Sequence, residues 1–409
     1  MKVLHTSDWH LGQSFFTKTR KDEHQAFLSW LVEQVATLGV DLVIVAGDIF
    51  DTSTPPSYAR ELYNQFIVQL QKTECQLLVL GGNHDSVSVL NESRQLLAQL
   101  NTQVIASTAL PADQQVVEVH NRQGEVAALV CAIPFVRPKD VLHSQAGETG
   151  VQKRQALGEA ISAHYHDIYQ RAVDKKQQLG LDIPILATGH LTALGVSTSD
   201  SVRDIYIGTL EGFAADGFPP ADYIALGHIH RPQKVAKQDH IRYSGSPIPL
   251  SFDELGTSKQ VVLVEFEQGR RVSVDTLQVP LFQPMAVHTG TLEQLAESLQ
   301  MYAEATQTVW LSIEVENQDY LSDLQSRIQT LTEPLNADVL QLRRARNPRR
   351  EALTQQSKES LHELTPTEVF DKRLDMEVFE GDEERLRKAR IRMQFEQVLS
   401  ATQNPEEAS

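Results

Sequence analysis

Five short polar clusters carry side chains suited to metal chemistry: Asp8 and His10 in SDWH, Gly47 and Asp48 in AGD, Asn83, His84 and Asp85 in GGNHD, Gly189 and His190 in TGH, and Gly227, His228 and His230 in GHIH. Singly, an Asp-x-His or Gly-His pair is better explained by a structural histidine with its hydrogen bonds satisfied. The ordered set is another matter, because each cluster follows an apolar run and can project from the same edge of a sheet. The donors are carboxylate oxygen, amide oxygen and imidazole nitrogen without thiolate, which suits manganese, iron or zinc, with manganese the first choice. Two divalent ions about 3.5 to 4 Å apart can clamp the attacking and leaving oxygens of an in-line phosphoryl displacement and acidify a bridging water.

The elements that must position these residues can be read from the intervening pattern. Apolar runs at 3–6, 41–46, 76–80, 185–188 and 223–226 read as strands buried on both faces. Helical patterns separate them, at 58–72 with Leu62, Phe66 and Leu70 at spacing four, and at 91–100 with Leu96, Leu97 and Leu100. This alternation predicts an α/β fold. In the stretch 259–274, Gln268 and Gly269 mark a hairpin turn between two further strands, so the expected core is a layered β-sandwich flanked by helices.

From residue 283 the pattern becomes strand, helix, strand, helix, strand, with Thr291 and Gln294 forming a capping box. This predicts a small α+β capping domain. Arg343, Arg344, Arg346, Arg349 and Arg350 then crowd together, and the polar stretch 355–360 reads as a linker. The arginines suit either DNA phosphates or ion pairs within an acidic protein. Thr365, Pro366 and Glu368 open a helical tail, in which Leu386, Met393, Val398 and Leu399 stand among charges. That apolar stripe requires a cover, either the protein itself or a docked partner. The expected division is 1–282, 283–348 and 349–409.

Composition bounds the setting. Of 409 residues, 41% are hydrophobic and 22% charged, enough for a sizeable core. The formal charge of −17 opposes general attraction to a polyanion, so a nucleic acid would need local basic patches or a partner. No signal peptide and no 18-residue apolar run is visible, and Cys75 and Cys131 lie inside apolar runs as expected for buried free thiols. The expected location is the cytoplasm. His143, His164 and His166 fall in or beside a polar helical insert at 140–180 and read as solvent-facing.

The motifs D-x-H, GD, GNHD, GH and GH-x-H, spanning residues 8–230, resemble the calcineurin-like metallophosphoesterase superfamily. The runs HTSDWHLG, GDIFDTSTPPSYAR, GHIHRP and YSGSPIPLSFDE, with the two trailing units, extend the resemblance over nearly the whole chain to the SbcD family, the nuclease subunits of bacterial SbcCD complexes. The resemblance implies that Asp8, His10, Asp48 and His230 hold a first ion, and that Asp48, Asn83, His190 and His228 hold a second, two Mn2+ per chain bridged by Asp48. It implies that His84 contacts the scissile phosphate or protonates the leaving oxygen, and that Asp85 orients His84. One departure stands out. Archaeal and eukaryotic members of this nuclease group place a second histidine three residues after the bridging aspartate, and this chain has Asp51.

The implied activity is hydrolysis of DNA, as an exonuclease on double-stranded ends and an endonuclease on single-stranded or hairpin DNA, in repair, recombination and replication. The implied partner is an SbcC-like SMC-type ATPase, since no Walker loop occurs in this sequence. A homodimer within a heterotetramer is also implied, with the helices at 58–72 and 91–100 where the family dimerises. No base-reading motif is visible, which favours recognition of ends or shape. Two alternatives share much of the same sequence: a free-standing phosphatase or phosphodiesterase with the same ligands, and a DNA-end-binding scaffold with a degenerate site.

Overall fold

The apolar runs become strands because neither of their faces meets water. In a computed structural model the described residues are 1–142, 150–203, 205, 212–316 and 323–344, together with 370, 388, 390–392, 394 and 395 of the tail. The strands up to residue 278 are β1 (Lys2–Thr6), β2 (Ser14–Phe15), β3 (Lys18–Thr19), β4 (Leu42–Val45), β5 (Gln76–Leu80), β6 (Thr102–Ile105), β7 (Val116–His120), β8 (Val126–Cys131), β9 (Ile185–His190), β10 (Tyr223–Gly227), β11 (Gln233–Lys234), β12 (Ile241–Tyr243), β13 (Gln260–Glu267) and β14 (Arg270–Gln278); β2 and β3 form a separate hairpin, and the others make the two main sheets. Helices α1 (Lys21–Leu38), α2 (Ser57–Gln71), α3 (Val87–Asn91), α4 (Arg94–Ala98), α5 (Pro138–Val141) and α6 (Gly150–Leu179) connect them.

One six-stranded sheet has the order β14-β13-β1-β4-β5-β6 and the other β11-β12-β10-β9-β8-β7. Alternate residues serve different layers. Val3, Leu42, Ile44 and Leu78 of the first sheet pack with Val117, Val130, Leu186 and Tyr223 of the second. Their neighbours Leu4, Val43, Val45 and Leu77 face away, into a core with Phe27, Leu31, Leu62 and Phe66 of α1 and α2. On the far side of the second sheet, Leu157, Ile161, Tyr165 and Ile168 of α6 cover Leu129, Ala187 and Ile224. The result is the expected helix-flanked sandwich, with burial on both faces explaining the unbroken apolar runs.

Local signals act as expected at several points. Gln268 (φ 48°) and Gly269 (φ 75°) turn β13 into β14, the left-handed pair that matches strand twist in a two-residue hairpin. The helix expected at 91–100 is the shorter α4, because Ser93 (φ −111°) lies outside helical geometry and caps its start, while α3 ends at Asn91. The insert at 150–179 is one helix whose buried stripe is apolar, so its histidines are not all solvent-facing. His164 is half-buried, its Nε2 3.1 Å from Gln115 Oε1, and His166 is exposed. His143 lies outside the described residues.

After β14, β15 (Met285–Gly290), α7 (Leu292–Ser298), β16 (Val309–Val315), α8 (Leu324–Thr332) and β17 (Ala337–Arg344) follow the expected alternation. Thr291 and Gln294 form the capping box, with Thr291 N donating to Gln294 Oε1 at 2.9 Å. Leu295, Leu311, Ile313 and Ile328 make a core of their own, and Trp310 stacks on Phe15 of the β2–β3 hairpin at 5.6 Å between ring centres. The chain divides into two compact units, Met1–Glu316 with Leu321–Arg343, and Asn317–Tyr320 with Arg344–Ser409. In the second, the Phe370 and Phe395 rings stack at 3.8 Å. The capping box at Thr365 and the linker lie outside the described residues, and of 383–399 only 388, 390–392, 394 and 395 are described, as helix. No helix among the described residues is long and apolar enough to cross a membrane.

Candidate metal centre

Parallel pairing decides where the polar clusters go. Because β1, β4 and β5 run parallel, and β9 and β10 do so in the other sheet, their carboxyl ends bring all five clusters to one edge of the sandwich. Asp8 (φ 55°), His10 (φ 46°), Asp48 (φ 51°) and His228 (φ 93°) all adopt positive φ. Such conformations cost side-chain-bearing residues about 1–3 kcal/mol each and persist only where neighbours enforce them. Here Asp8 N donates to Gly47 O at 3.0 Å and His10 N to Asp48 O at 3.1 Å, tying the two loops together. A Cβ on Gly47 would overlap the His190 ring, and one on Gly82 the Asp48 carboxylate.

Ligand atoms of Asp8, His10 and His230 lie within 4.8 Å of one another, as do those of His10, Asp48 and His84 and those of Asp48, His190 and His228. Asp48 belongs to two of these groups, its Oδ2 3.6 Å from His10 Nε2 and 3.3 Å from His190 Nε2. Asn83 Oδ1 is 2.9 Å from His190 Nε2 and 3.0 Å from His228 Nδ1. His190 Nδ1 lies 2.8 Å from Ala46 O, and a carbonyl can only accept, so that nitrogen carries a proton. A neutral His190 therefore turns a bare Nε2 lone pair towards the oxygens of Asn83 and Asp48.

Lone pairs that converge in this way require a cation between them. The cation can be a proton. Burial alone would depress His190, but the Asp48 carboxylate beside it outweighs burial and pushes the imidazole up to about 9. Burial likewise opposes ionisation of Asp48, yet His190 and His10 hold it well below the usual carboxylate range. A divalent metal ion fits the same demand, and His10 Nε2, buried and without a hydrogen-bond partner among the described residues, fits it as well.

His84 lines the cleft and is held there by a residue that the sequence did not suggest. Its Nδ1 donates to the backbone carbonyl of Asp51 at 2.7 Å, while its backbone N–H donates to Asp48 Oδ1 at 2.9 Å. Its Nε2 stands 4.0 Å from Asp48 Oδ2. Asp85 contributes by another route: its buried carboxylate accepts from Ile49 N at 3.1 Å, Phe50 N at 3.0 Å and Gly82 N at 2.9 Å, clamping the loop of Asp48 to the loop of His84. The orienting role expected of Asp85 thus falls to Asp51. The Asp51 carboxylate also meets His10 Nδ1 at 3.1 Å, which directs His10 Nε2 inwards.

His230 has partners that sequence reasoning did not single out. Its Nδ1 lies 2.6 Å from Ser201 Oγ, behind which sit Glu254 and Lys259, both buried. Glu254 belongs to the run YSGSPIPLSFDE, but in sequence an acidic residue after a loop looks like any surface carboxylate. The centre opens into a cavity of about 530 Å³ lined by His10, His84, His230, Phe16, Arg203 and Arg343 among others. Phe16 is 49% exposed at the tip of the β2–β3 hairpin, so an apolar ring stands at the mouth.

Residues 1–232 match the family described as calcineurin-like phosphoesterase, and residues 281–378 match the type 5 capsule protein repressor C-terminal domain. The chain is 52% identical to the SbcD subunit of the nuclease SbcCD from Escherichia coli (strain K12) over 389 residues, covering 94% of this chain and 96% of that one. It is 31% identical to the protein of the same name from Rhodobacter capsulatus, over 74% of this chain and 76% of that one. With that of Bacillus subtilis (strain 168) the identity is 29%, over 79% and 81%. With the phosphoesterase match spanning more than half its length and the likeness to these subunits running nearly end to end, this chain belongs to the SbcD family of calcineurin-like phosphoesterases.

Proposed function

We propose that the chain is a metal-dependent DNA nuclease that hydrolyses phosphodiester bonds with two Mn2+ ions per chain. The observation that carries the reading is the convergence of Asp8, His10 and His230, and of Asp48, His190 and His228, with Asn83 facing the second group, behind a cleft that His10, His84 and His230 line. Asp8, His10, Asp48 and His230 would hold one ion, and Asp48, Asn83, His190 and His228 the other. Bound there, the ions would supply Lewis acidity to the phosphoryl oxygens and an activated water.

The protein's own groups do the rest. With Nδ1–H committed to Asp51 O, His84 has only Nε2 to offer a substrate, on the side facing the cleft. Burial depresses its basicity more than the Asp48 carboxylate raises it. A phosphodiester entering the cleft brings negative charge, which favours the imidazolium and lets Nε2–H stabilise the phosphoryl oxygens or protonate the leaving oxygen. Asp85 keeps the loops of Asp48 and His84 at fixed separation. Arg203 and Arg343, both in the cleft lining, are suited to flanking phosphates.

The name shared by the relatives supports a complex, and we assign as partner an SbcC-like SMC-type ATPase bound through the tail beyond residue 360. Residues 1–282 are the nuclease part, 283–348 a capping part beside the cleft, and 349–409 the linker and docking tail. Val68 and Leu96, on α2 and α4, are 51% and 66% exposed, which favours a homodimer through these helices. The test is hydrolysis of single-stranded, duplex and hairpin DNA with Mn2+, each with and without the ATPase. Metal-dependent cleavage of DNA with ATP-stimulated attack on duplex ends is the expected result. Hydrolysis of simple phosphomonoesters without any of DNA would replace this reading by a free-standing phosphatase.

A further inference from the structure

Around the Nδ1 edge of His230 lies a polar cluster that the candidate ligand set leaves unexplained. Ser201 Oγ, 2.6 Å from His230 Nδ1, also bonds Glu254 Oε1, and the same oxygen accepts from Ser199 Oγ at 2.8 Å. The other carboxylate oxygen accepts from Leu250 N at 3.0 Å and from the ammonium of Lys259. Glu254 has no exposed surface, and Lys259 is also buried. Burying a carboxylate with an ammonium is costly, and an apolar pair of similar volume commonly holds a fold as well or better. The charge therefore calls for a reason beyond packing.

Proton counting supplies one. Glu254 is ringed by donors on both oxygens, so there is no place for a carboxyl proton and it can only accept. Ser201 has a single hydroxyl proton, and Glu254 takes it. The Ser201 oxygen then faces His230 as an acceptor, so His230 must carry its proton on Nδ1. The Nε2 lone pair of the neutral ring is left for the group it shares with Asp8 and His10.

We infer that Glu254 is the positioning residue of His230: acting through the Ser201 hydroxyl, it fixes the tautomer and orientation of that imidazole and so sets the metal affinity of the Asp8–His10–His230 site. The inference rests on the proposed metal reading of this centre. It has a consequence for the cleft, because Ser199 and Ser201 precede Arg203 on one stretch of chain. The carboxylate that orders His230 also anchors the segment bearing a cleft arginine.

The experiment titrates Mn2+ into the metal-free full-length chain, following heat and the electron spin resonance signal of the exchange-coupled metal pair. Thermal melts run beside it. The variants are Ser201→Ala, Ser201→Thr, Ser199→Ala and Glu254→Gln. Ser201→Ala and Glu254→Gln should weaken one of two Mn2+ sites about ten- to hundred-fold and abolish the coupled signal at limiting metal, while the other site moves by less than about twofold. Ser201→Thr keeps the hydroxyl and should restore both affinity and signal. Ser199→Ala, which removes a bond to the carboxylate and one to the Ser201 hydroxyl but none to His230, should weaken that site less than Ser201→Ala does. Glu254→Gln also strips Lys259 of its counter-charge, so if it melts early the serine pair decides. Wild-type affinity at both sites in Ser201→Ala overturns the inference, and so does an equal loss in the alanine and threonine variants. A wild-type chain that binds no Mn2+ would instead overturn the metal reading on which it rests.

Discussion

Asp51 holds His10 with its side chain and His84 with its backbone, its Oδ1 3.1 Å from His10 Nδ1 and its carbonyl oxygen 2.7 Å from His84 Nδ1. One residue thereby sets the direction of a candidate metal ligand and of a candidate catalytic group. The two tasks are separable by mutation because a substitution removes the carboxylate and leaves the carbonyl. Asp51→Ala should weaken one Mn2+ site about ten- to hundred-fold, the usual scale for losing an outer-shell partner. At saturating metal its turnover should recover most of the wild-type value, since His84 remains oriented. Turnover that stays low with both sites filled would give Asp51 a role in the chemical step.

Asp48→Ala tests the centre of the arrangement. Among the described residues, its carboxylate is the one that shares a metal-binding group with both His10 and His190. The variant should retain fewer than two Mn2+ ions per chain by elemental analysis and lose hydrolysis of DNA and of simple phosphodiesters together. Retention of both ions with activity would reject the bridging assignment.

His84→Ala should separate binding from chemistry. Both ions should remain, DNA affinity should largely survive, and turnover should fall by roughly 10²- to 10⁴-fold, the scale expected when an acid or charge stabiliser is removed. A variant that loses metal would move His84 into the ligand set, where its 4.0 Å separation from Asp48 Oδ2 makes it the nearest reserve.

Metal loading should release protons. His190 is held up to about 9 in the metal-free chain, above its ordinary value of 6.5, so at neutral pH it is an imidazolium that a metal must displace. A raised pKa of this kind stabilises the metal-free fold fully below the ordinary value, and the contribution fades as pH rises through 9. Calorimetric Mn2+ titrations at pH 7 in buffers of different ionisation enthalpy should therefore show release of protons, with the His190 share disappearing above pH 9. Buffer-independent heats at pH 7 would contradict this account of the centre.

Much of this centre was legible in sequence for a physical reason. Strands buried on both faces read as continuous apolar runs, and parallel order puts the residues after each strand at one edge, so the type and order of Asp8, Asp48, Asn83, His190 and His228 sufficed to suggest that they meet. Asp51 and Glu254 were not legible in the same way. Their roles depend on which atom meets which imidazole nitrogen, and Asp51 acts on His84 through a carbonyl that every residue has. The late start of α4 was hidden because Asn91, Glu92 and Ser93 are polar residues that an exposed first helical turn would also carry. For α6, the polar composition masked a stripe that is buried at Leu157, Ile161, Tyr165 and Ile168.

The tail provides the last prediction. Every candidate ligand lies at or before His230, in the unit Met1–Glu316 with Leu321–Arg343, so deleting residues 361–409 should leave that unit folded and able to hydrolyse single strands with metal. The removed segment contains the apolar stripe of Leu386, Met393, Val398 and Leu399. A stripe on a tethered segment must be covered, and the proposed cover is the ATPase. The truncated chain should therefore lose co-purification with the ATPase and with it the ATP-stimulated attack on duplex ends. Association equal to that of the full-length chain would reject docking through the tail, whereas an insoluble truncated chain would show that the stripe packs on the protein itself.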